Sequence, residues 1–229
     1  MRNKLVVVHM GDSITFGQYI DPCLRWTSLV AERLQGHASQ NGILIESHNR
    51  GVSGETTRMG LERFPGDVQD LFPDVLTLQF GLNDCNCWQT DRGMPRVSER
   101  AFKANLLEMI MRSRRFGAQQ IILSTNHRTL RRTEMVSGEV YEDANERYSE
   151  IIREVASETA VTLCDVWQIF SRFSDDELAR LLLPPPDQLH LSIEGNRVYA
   201  DTIWPYLGEA VADVRLDYDE EACVYEKRD

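Results

Sequence analysis

His9-Met10-Gly11-Asp12-Ser13-Ile14-Thr15-Phe16-Gly17 comes after a short apolar run, Leu5-Val6-Val7-Val8. β-Branched residues that stop at a glycine read as a buried strand. A buried strand that ends in Gly-Asp-Ser carries a serine hydroxyl to the end of a sheet, and in open α/β sheets ligands bind outside the carboxyl ends of the strands. Ser13 therefore stands where a nucleophile is useful. The same residues also suit a plain turn in which Asp12 and Ser13 only cap the next segment, so the chemistry has to be sought further along the chain.

The rest of the chain alternates strand and helix patterns. Trp26 to Leu34 has amphipathic helical spacing, and Gly36 with the polar run to Gly42 is expected to end it. Ile43 to Ser47 reads as a second strand leading into the turn Asn49-Arg50-Gly51-Val52-Ser53-Gly54-Glu55-Thr56-Thr57. A helix through Leu61 is expected to break at Pro65-Gly66, and a short one to end before Pro73. Asp74 to Phe80 is the clearest strand, and it stops at Gly81-Leu82-Asn83-Asp84. Cys85 to Val97 reads as a long irregular loop of the kind that often carries function. Ser98 suits the N-cap of a helix to Phe116, with Phe102, Leu106, Met109, Ile110 and Ser113 on one stripe. Ile121 to Ser124 and Val161 to Cys164 read as further strands, separated by a helix over Tyr141 to Thr159. Pro184-Pro185-Pro186 reads as a rigid, extended spacer before Asp187-Gln188-Leu189-His190-Leu191-Ser192. Ser192 can cap a last helix from Ile193 to Val214, which Pro205 is expected to kink or split. Strands alternating with helices imply a parallel sheet with helices on both faces. A single domain over residues 1–216 is expected, with a loose acidic tail over 217–229.

Charge and cysteine content exclude several classes. The 36 acidic residues against 25 basic ones leave a formal charge of -11. Such a surface is a poor binder of nucleic acid or anionic membrane, both of which need clustered Lys and Arg. Arg112, Arg114 and Arg115 fall at a helix end, where cations favour the dipole, whereas Arg128, Arg131 and Arg132 fall in a loop where they can meet an anionic substrate. The apolar run after Arg2-Asn3-Lys4 is too short for a signal peptide, and no run approaches the roughly 20 residues of a membrane span. A cytoplasmic protein without membrane insertion is the expectation. The odd count of five cysteines then points to reduced thiols, and Cys85-x-Cys87 lacks the companions of a zinc site, so no metal is expected.

Ester chemistry needs a nucleophile, a base to take its proton, and donors for the developing oxyanion. Ser13 supplies the first. His190 can be the base, and Asp187, three residues earlier, can reach the far ring nitrogen and fix the tautomer. Gly51 can offer a backbone N–H at close approach, and Asn83 its amide. Taken singly, each has an ordinary alternative: a surface Asp-His pair, a turn glycine, a capping Asn. No G-x-S-x-G elbow is present, which disfavours an ordinary α/β-hydrolase.

Four blocks in order carry a resemblance: Gly11-Asp12-Ser13, Gly51 within Asn49-Arg50-Gly51-Val52-Ser53-Gly54, Gly81-Leu82-Asn83-Asp84, and Asp187-Gln188-Leu189-His190 with Gly195-Asn196 shortly after. The chain resembles the SGNH hydrolases of the GDSL esterase and lipase superfamily over nearly its whole length. The resemblance implies a three-layer α/β/α flavodoxin-like fold with a five-stranded parallel sheet. It implies Ser13, Asp187 and His190 as triad and Ser13, Gly51 and Asn83 as oxyanion hole, with no metal or cofactor. Family members often carry prolines after the fourth strand, where this chain has Asn126-His127-Arg128; this and the Cys85–Val97 insert suggest that Trp88 and His127 border the substrate pocket. The expected substrate is a small-molecule ester, with a short acyl group on a sugar or small alcohol. The alternatives are a thioesterase or lysophospholipase, an acyltransferase with the same triad, and a flavodoxin-like domain that binds without turnover.

Overall fold

The computed structural model describes residues 3–216, so the acidic tail lies outside the described residues. Five strands form one all-parallel sheet: β1 (Lys4–Gly11), β2 (Leu44–Gly51), β3 (Val75–Gln79), β4 (Gln120–Ser124) and β5 (Thr162–Cys164). Their spatial order is β2-β1-β3-β4-β5, the doubly wound order of flavodoxin-like folds. The helices are α1 (Ser13–Phe16), α2 (Trp26–Asn41), α3 (Thr57–Asp67), α4 (Glu99–Arg115), α5 (Tyr141–Thr159), α6 (Val166–Phe170), α7 (Asp175–Leu181) and α8 (Ile193–Ala212). They form two packed groups, α2 with α8, α6 and α7, and α3 with α4 and α5, which sandwich the sheet in three layers. No helix among the described residues is long and apolar enough to cross a membrane.

Burial varies with strand position. Seven of the eight β1 residues and all five of β3 are buried, as covering on both faces requires of central parallel strands. Edge strand β2 is only partly covered. The α4 stripe Phe102, Leu106, Met109, Ile110 and Ser113 is the buried face of that helix, and Ser98 caps it. His9 is buried in β1, with ring nitrogens 3.0 Å from Thr77 Oγ1 and 3.2 Å from Ser47 Oγ. Burial, with a smaller contribution from His48, pushes its pKa down to about 3, so it is a neutral core residue.

Several boundaries depart from the sequence pattern. Helix α2 runs through Gly36 to Asn41, because Gly36 costs only about 1 kcal/mol in a helix and the turn beyond it buries Ala38 in the core. Helix α3 runs through Pro65, because Phe64 and Val68 are both fully buried and Arg63 pairs with Asp67 at 2.6 Å across that turn. Helix α8 continues past Pro205, held by buried Tyr199, Ile203 and Leu207. The Pro184-Pro185-Pro186 run is a turn and not an extended spacer: the Asp187 N–H donates to the Pro184 carbonyl at 3.1 Å.

The register brings three strand ends level. Gly11 pairs with Gly51 on one side and with Gln79 on the other. Arg63 stitches together the turns beyond those ends. Its guanidinium donates to the carbonyls of Gly11 at 3.1 Å and Arg50 at 2.9 Å, and it pairs with Glu55. Gly51 is required by packing, since a Cβ there would lie 2.1 Å from Phe16 N and 2.6 Å from the Thr15 carbonyl carbon. Backbone atoms cannot swing aside, so Gly51→Ala must displace α1. A loss of about 1–3 kcal/mol in urea unfolding is expected, as for other overpacked sites, together with loss of Ser13 reactivity. Unchanged stability would show that α1 does not rest on Gly51.

Candidate active site

Ser13 begins α1 at the end of β1. The Asp12 side chain caps that helix by accepting from the Ile14 N–H at 2.9 Å, while Gly17 closes it in the left-handed conformation. Ser13 is buried to 5% exposure at the floor of a cleft. As the first helical residue, it has a backbone N–H free of intrahelical bonding.

His190 arrives on a loop shaped by Asp187. Asp187 Oδ1 accepts from the N–H groups of Leu189 at 2.9 Å and His190 at 2.7 Å, closing a tight turn with Gln188 at φ +54°. Asp187 Oδ2 lies 2.8 Å from His190 Nδ1, and His190 Nε2 lies 3.0 Å from Ser13 Oγ. Burial raises the Asp187 pKa, but the bonds from the His190 backbone and ring and from the Leu189 N–H outweigh it and hold the carboxyl below its ordinary value. An ionised Asp187 only accepts, so Nδ1 carries the ring proton and Nε2 is left as the acceptor for the Ser13 hydroxyl. The three residues are thus joined in one hydrogen-bonded chain.

Trp26 ties the Ser13 side to α8, and two backbone bonds hold the His190 loop. Asn196, in the first turn of α8, accepts from the Trp26 N–H at 3.0 Å, and the Trp26 indole donates to the Ile14 carbonyl at 2.9 Å. The Leu183 N–H donates to the His190 carbonyl at 2.8 Å, and the Leu130 N–H to the Gln188 carbonyl at 3.1 Å.

Asn83 faces the same cleft as Ser13 and His190. Its amide nitrogen lies 3.5 Å from Asp12 Oδ2, leaving its second N–H for a ligand. Its neighbour Asp84 is wholly buried and accepts from Thr57 N at 2.9 Å and Thr57 Oγ1 at 2.5 Å, which locks the Asn83 turn onto the start of α3. Burial pushes Asp84 up to about 6 despite the Thr57 bonds. Asp12 is pushed up to about 7, first by burial and then by the nearby Asp84 charge, against the opposing bond from Ile14 N–H.

Three sequence expectations need correction. The Gly51 N–H is spent on Asn49 Oδ1 at 2.9 Å, so it is not free for a ligand. The glycine on the cleft wall is Gly54, at φ +79°, whose N–H has no partner among the described residues. Both belong to one motif, and only the path of the turn after β2 separates them. His127 is fully buried, donates from Nε2 to the Leu189 carbonyl at 2.7 Å, and is pushed down to about 4, chiefly by burial. It lies beneath the His190 loop and not on the cleft. Trp88 is half-exposed beneath the Arg96 guanidinium, 4.0 Å from its ring centroid, and does not line the cleft either. The walls are instead Gln18, Tyr19, Ser53, Leu82, Asn86, Arg131 and Leu189. Tyr19 stands edge-on to the His190 ring at 5.5 Å, with a φ of +65° that is unusual for a bulky residue and that no local sequence pattern announces.

A parallel doubly wound sheet with Ser13, His190 and Asp187 joined at its carboxyl edge defines a serine hydrolase acting on carboxylic esters. The chain belongs to the GDSL-like lipase/acylhydrolase family, whose model matches residues 9–198. It is 26% identical over 220 residues, 86% of this chain and 87% of the relative, to an uncharacterized lipoprotein, YqeF, of Bacillus subtilis (strain 168). It is 28% identical to an arylesterase of Vibrio mimicus over 120 residues, 52% of this chain and 53% of that one. The crystal structure of an acetyl xylan esterase, AlAXEase, superposes with a TM-score of 0.71 at 24% identity, covering 89% of this chain and all of that one, a likeness of fold.

Asp12 gives the site a measurable pH signature. Its pKa is about 7 folded and 3.8 unfolded, so between these values the folded protein binds more protons and this group's contribution to stability falls as pH rises. Asp12→Asn removes that dependence and keeps an acceptor for Ile14. The stability of the variant relative to the parent is therefore expected to climb from about pH 4 to pH 7 and level off above, as read by urea unfolding across pH. A flat difference would show that Asp12 ionises normally.

Proposed function

We propose that the protein hydrolyses a short acyl ester of a sugar or other small polar alcohol through Ser13, His190 and Asp187. The observation that carries this reading is the cleft itself. Its volume is about 290 Å³, at the bottom of the roughly 300–1,000 Å³ range of small-molecule sites. Leu82 and Leu189 offer a small apolar patch for an acyl group, while Gln18, Ser53 and Asn86 offer hydrogen bonds suited to hydroxyls. Tyr19, 71% exposed beside His190, offers an aromatic face to a sugar ring. The fold relative described as an acetyl xylan esterase supports the same reading.

In this mechanism Ser13 Oγ attacks the ester carbonyl as His190 Nε2 takes its proton, and Asp187 stabilises the imidazolium. The carbonyl oxygen becomes an oxyanion that receives the N–H groups of Ser13 and Gly54 and the Asn83 amide. Collapse breaks the bond to the alcohol, which leaves with the proton from His190. Water, deprotonated by His190, then attacks the acyl-enzyme, and the acid and free Ser13 are regenerated.

A fluorophosphonate should label Ser13 in the parent protein and not in Ser13→Ala; an unlabelled, folded parent would overturn the assignment. Among p-nitrophenyl esters, acetate is expected to have the highest kcat/KM, and a higher value for decanoate would overturn the short-acyl reading.

Asn83 separates chemistry from architecture. As an oxyanion donor it is worth roughly 10²- to 10³-fold in kcat, with KM changing far less. Asn83→Ala should show that loss at nearly parental stability, and Asn83→Asp a larger one, because a carboxylate has no proton to donate and repels the oxyanion. Near-parental kcat in both variants would remove Asn83 from the oxyanion hole.

A further inference from the structure

Arg131 is a cation on the wall of the cleft that holds Ser13, Asn83 and His190. It belongs to the loop between β4 and α5, and that loop holds its side chain in place. The Arg131 N–H donates to Thr129 Oγ1 at 3.2 Å, and Nε donates to the Asp187 carbonyl at 2.8 Å. Its guanidinium lies over the Tyr141 ring, 5.8 Å from the centroid. These contacts use the backbone N–H and Nε. They leave the two Nη nitrogens without a hydrogen-bond or ion-pair partner among the described residues.

Its neighbours on the loop are held by other residues. Arg128 and Arg132 both reach Asp175, at 2.6 Å and 2.8 Å. Glu142 accepts from the Thr129 N–H at 2.8 Å, and the Asp187 carboxylate lies 2.8 Å from His190 Nδ1, so neither carboxylate is hydrogen-bonded to Arg131. Of the three loop arginines, Arg131 alone has no carboxylate at ion-pair distance among the described residues, and it lines the cleft. On a chain with a formal charge of -11, such a cation opposes the repulsion that an anionic substrate meets. A guanidinium with Nε already anchored offers its remaining nitrogens in a fixed fork, the geometry that matches a planar carboxylate.

We infer that Arg131 forms a subsite for a carboxylate on the alcohol part of the substrate, so that the preferred ester is an acylated acidic alcohol such as an acidic sugar. This rests on the short-acyl reading, because a small neutral acyl group leaves only the alcohol to carry the charge. Arg131 then acts as a specificity-determining residue, setting which ester is bound while Ser13 and His190 carry the reaction.

The test compares 4-acetoxybenzoate with its neutral isostere 4-acetoxybenzamide, together with the corresponding hexanoate pair, each rate divided by that ester's alkaline hydrolysis rate. The parent protein is expected to favour the carboxylate of a pair by about 10- to 100-fold in kcat/KM, mostly through KM, with the preference shrinking as salt is added. Arg131→Gln should lose that preference, its kcat/KM falling far more for the carboxylate than for the amide, and Arg131→Lys should recover part of it. Equal preference in the parent would overturn the subsite. So would an equal fall for both esters in Arg131→Gln, which would mark Arg131 as only a brace for the Asp187 loop. Faster turnover of hexanoates with the charge preference intact would overturn the short-acyl reading and leave the Arg131 subsite standing.

Discussion

Gly11, Gly51 and Gln79 lie at one level of the sheet because β1 pairs in parallel and in register with both β2 and β3. Everything the site needs on its N-terminal side depends on that alignment. Each of the three strands releases its turn at the same edge, so Ser13, Gly54 and Asn83 meet although 41 and 29 residues of chain separate them. A slip of one residue in any pair would turn a core face toward the wrong layer. Complete burial of Val7, Val8, Leu76 and Leu78 makes such a slip costly. The same alignment explains Gly51: with two strand ends and α1 crowded together, no Cβ fits there.

Polar groups buried behind Ser13 hold the turns in place. Asp12 caps the Ser13 helix, Asp84 caps the start of α3, and Gln79 reaches toward both Asp12 and Asn126, at 3.5 Å and 3.4 Å. Two carboxyl groups in so dry a setting resist ionising, which is why both titrate well above their ordinary range. Buried His9 and His127 resist charging, and titrate below theirs. The acids weaken the fold as pH rises through their window, and the histidines weaken it as pH falls below about 6.5, so the two sets oppose each other in between.

The C-terminal contribution comes from another part of the chain, and its placement depends on ties that skip over most of the sequence. Asn196 holds α8 to Trp26 across 170 residues, and Trp26 in turn holds Ile14 beside Ser13. Gly195 allows the approach, since a Cβ there would lie 2.0 Å from the Leu181 carbonyl oxygen. Ser13 and His190 are therefore brought within 3.0 Å by rigid elements and not by the reach of a loose loop.

Much of this was legible in the chain itself. Runs of apolar, β-branched residues bounded by glycine or proline named the strands, since local patterning reflects burial on both faces of a sheet. The α4 stripe and its Ser98 cap were equally local. So were Ser13, Asp187 and His190, because Asp12 and Asp187 bond the backbone of their own turns, and Asn83, because it follows a strand that stops at Gly81. Tertiary structure decided what depends on neighbours far along the chain. Core burial carried α2 through Gly36 and α3 through Pro65 against their local preference. The path of a single turn made Gly51 a packing residue and Gly54 the wall of the cleft. Trp88 and His127 sit in loops of the right kind, yet one lies outside the cleft and the other beneath it, while Tyr19 and Arg131 face it. Composition cannot tell a side chain which way to point; that direction is set by contacts such as Nε of Arg131 to the Asp187 carbonyl, formed between residues 56 positions apart only once the sheet has folded.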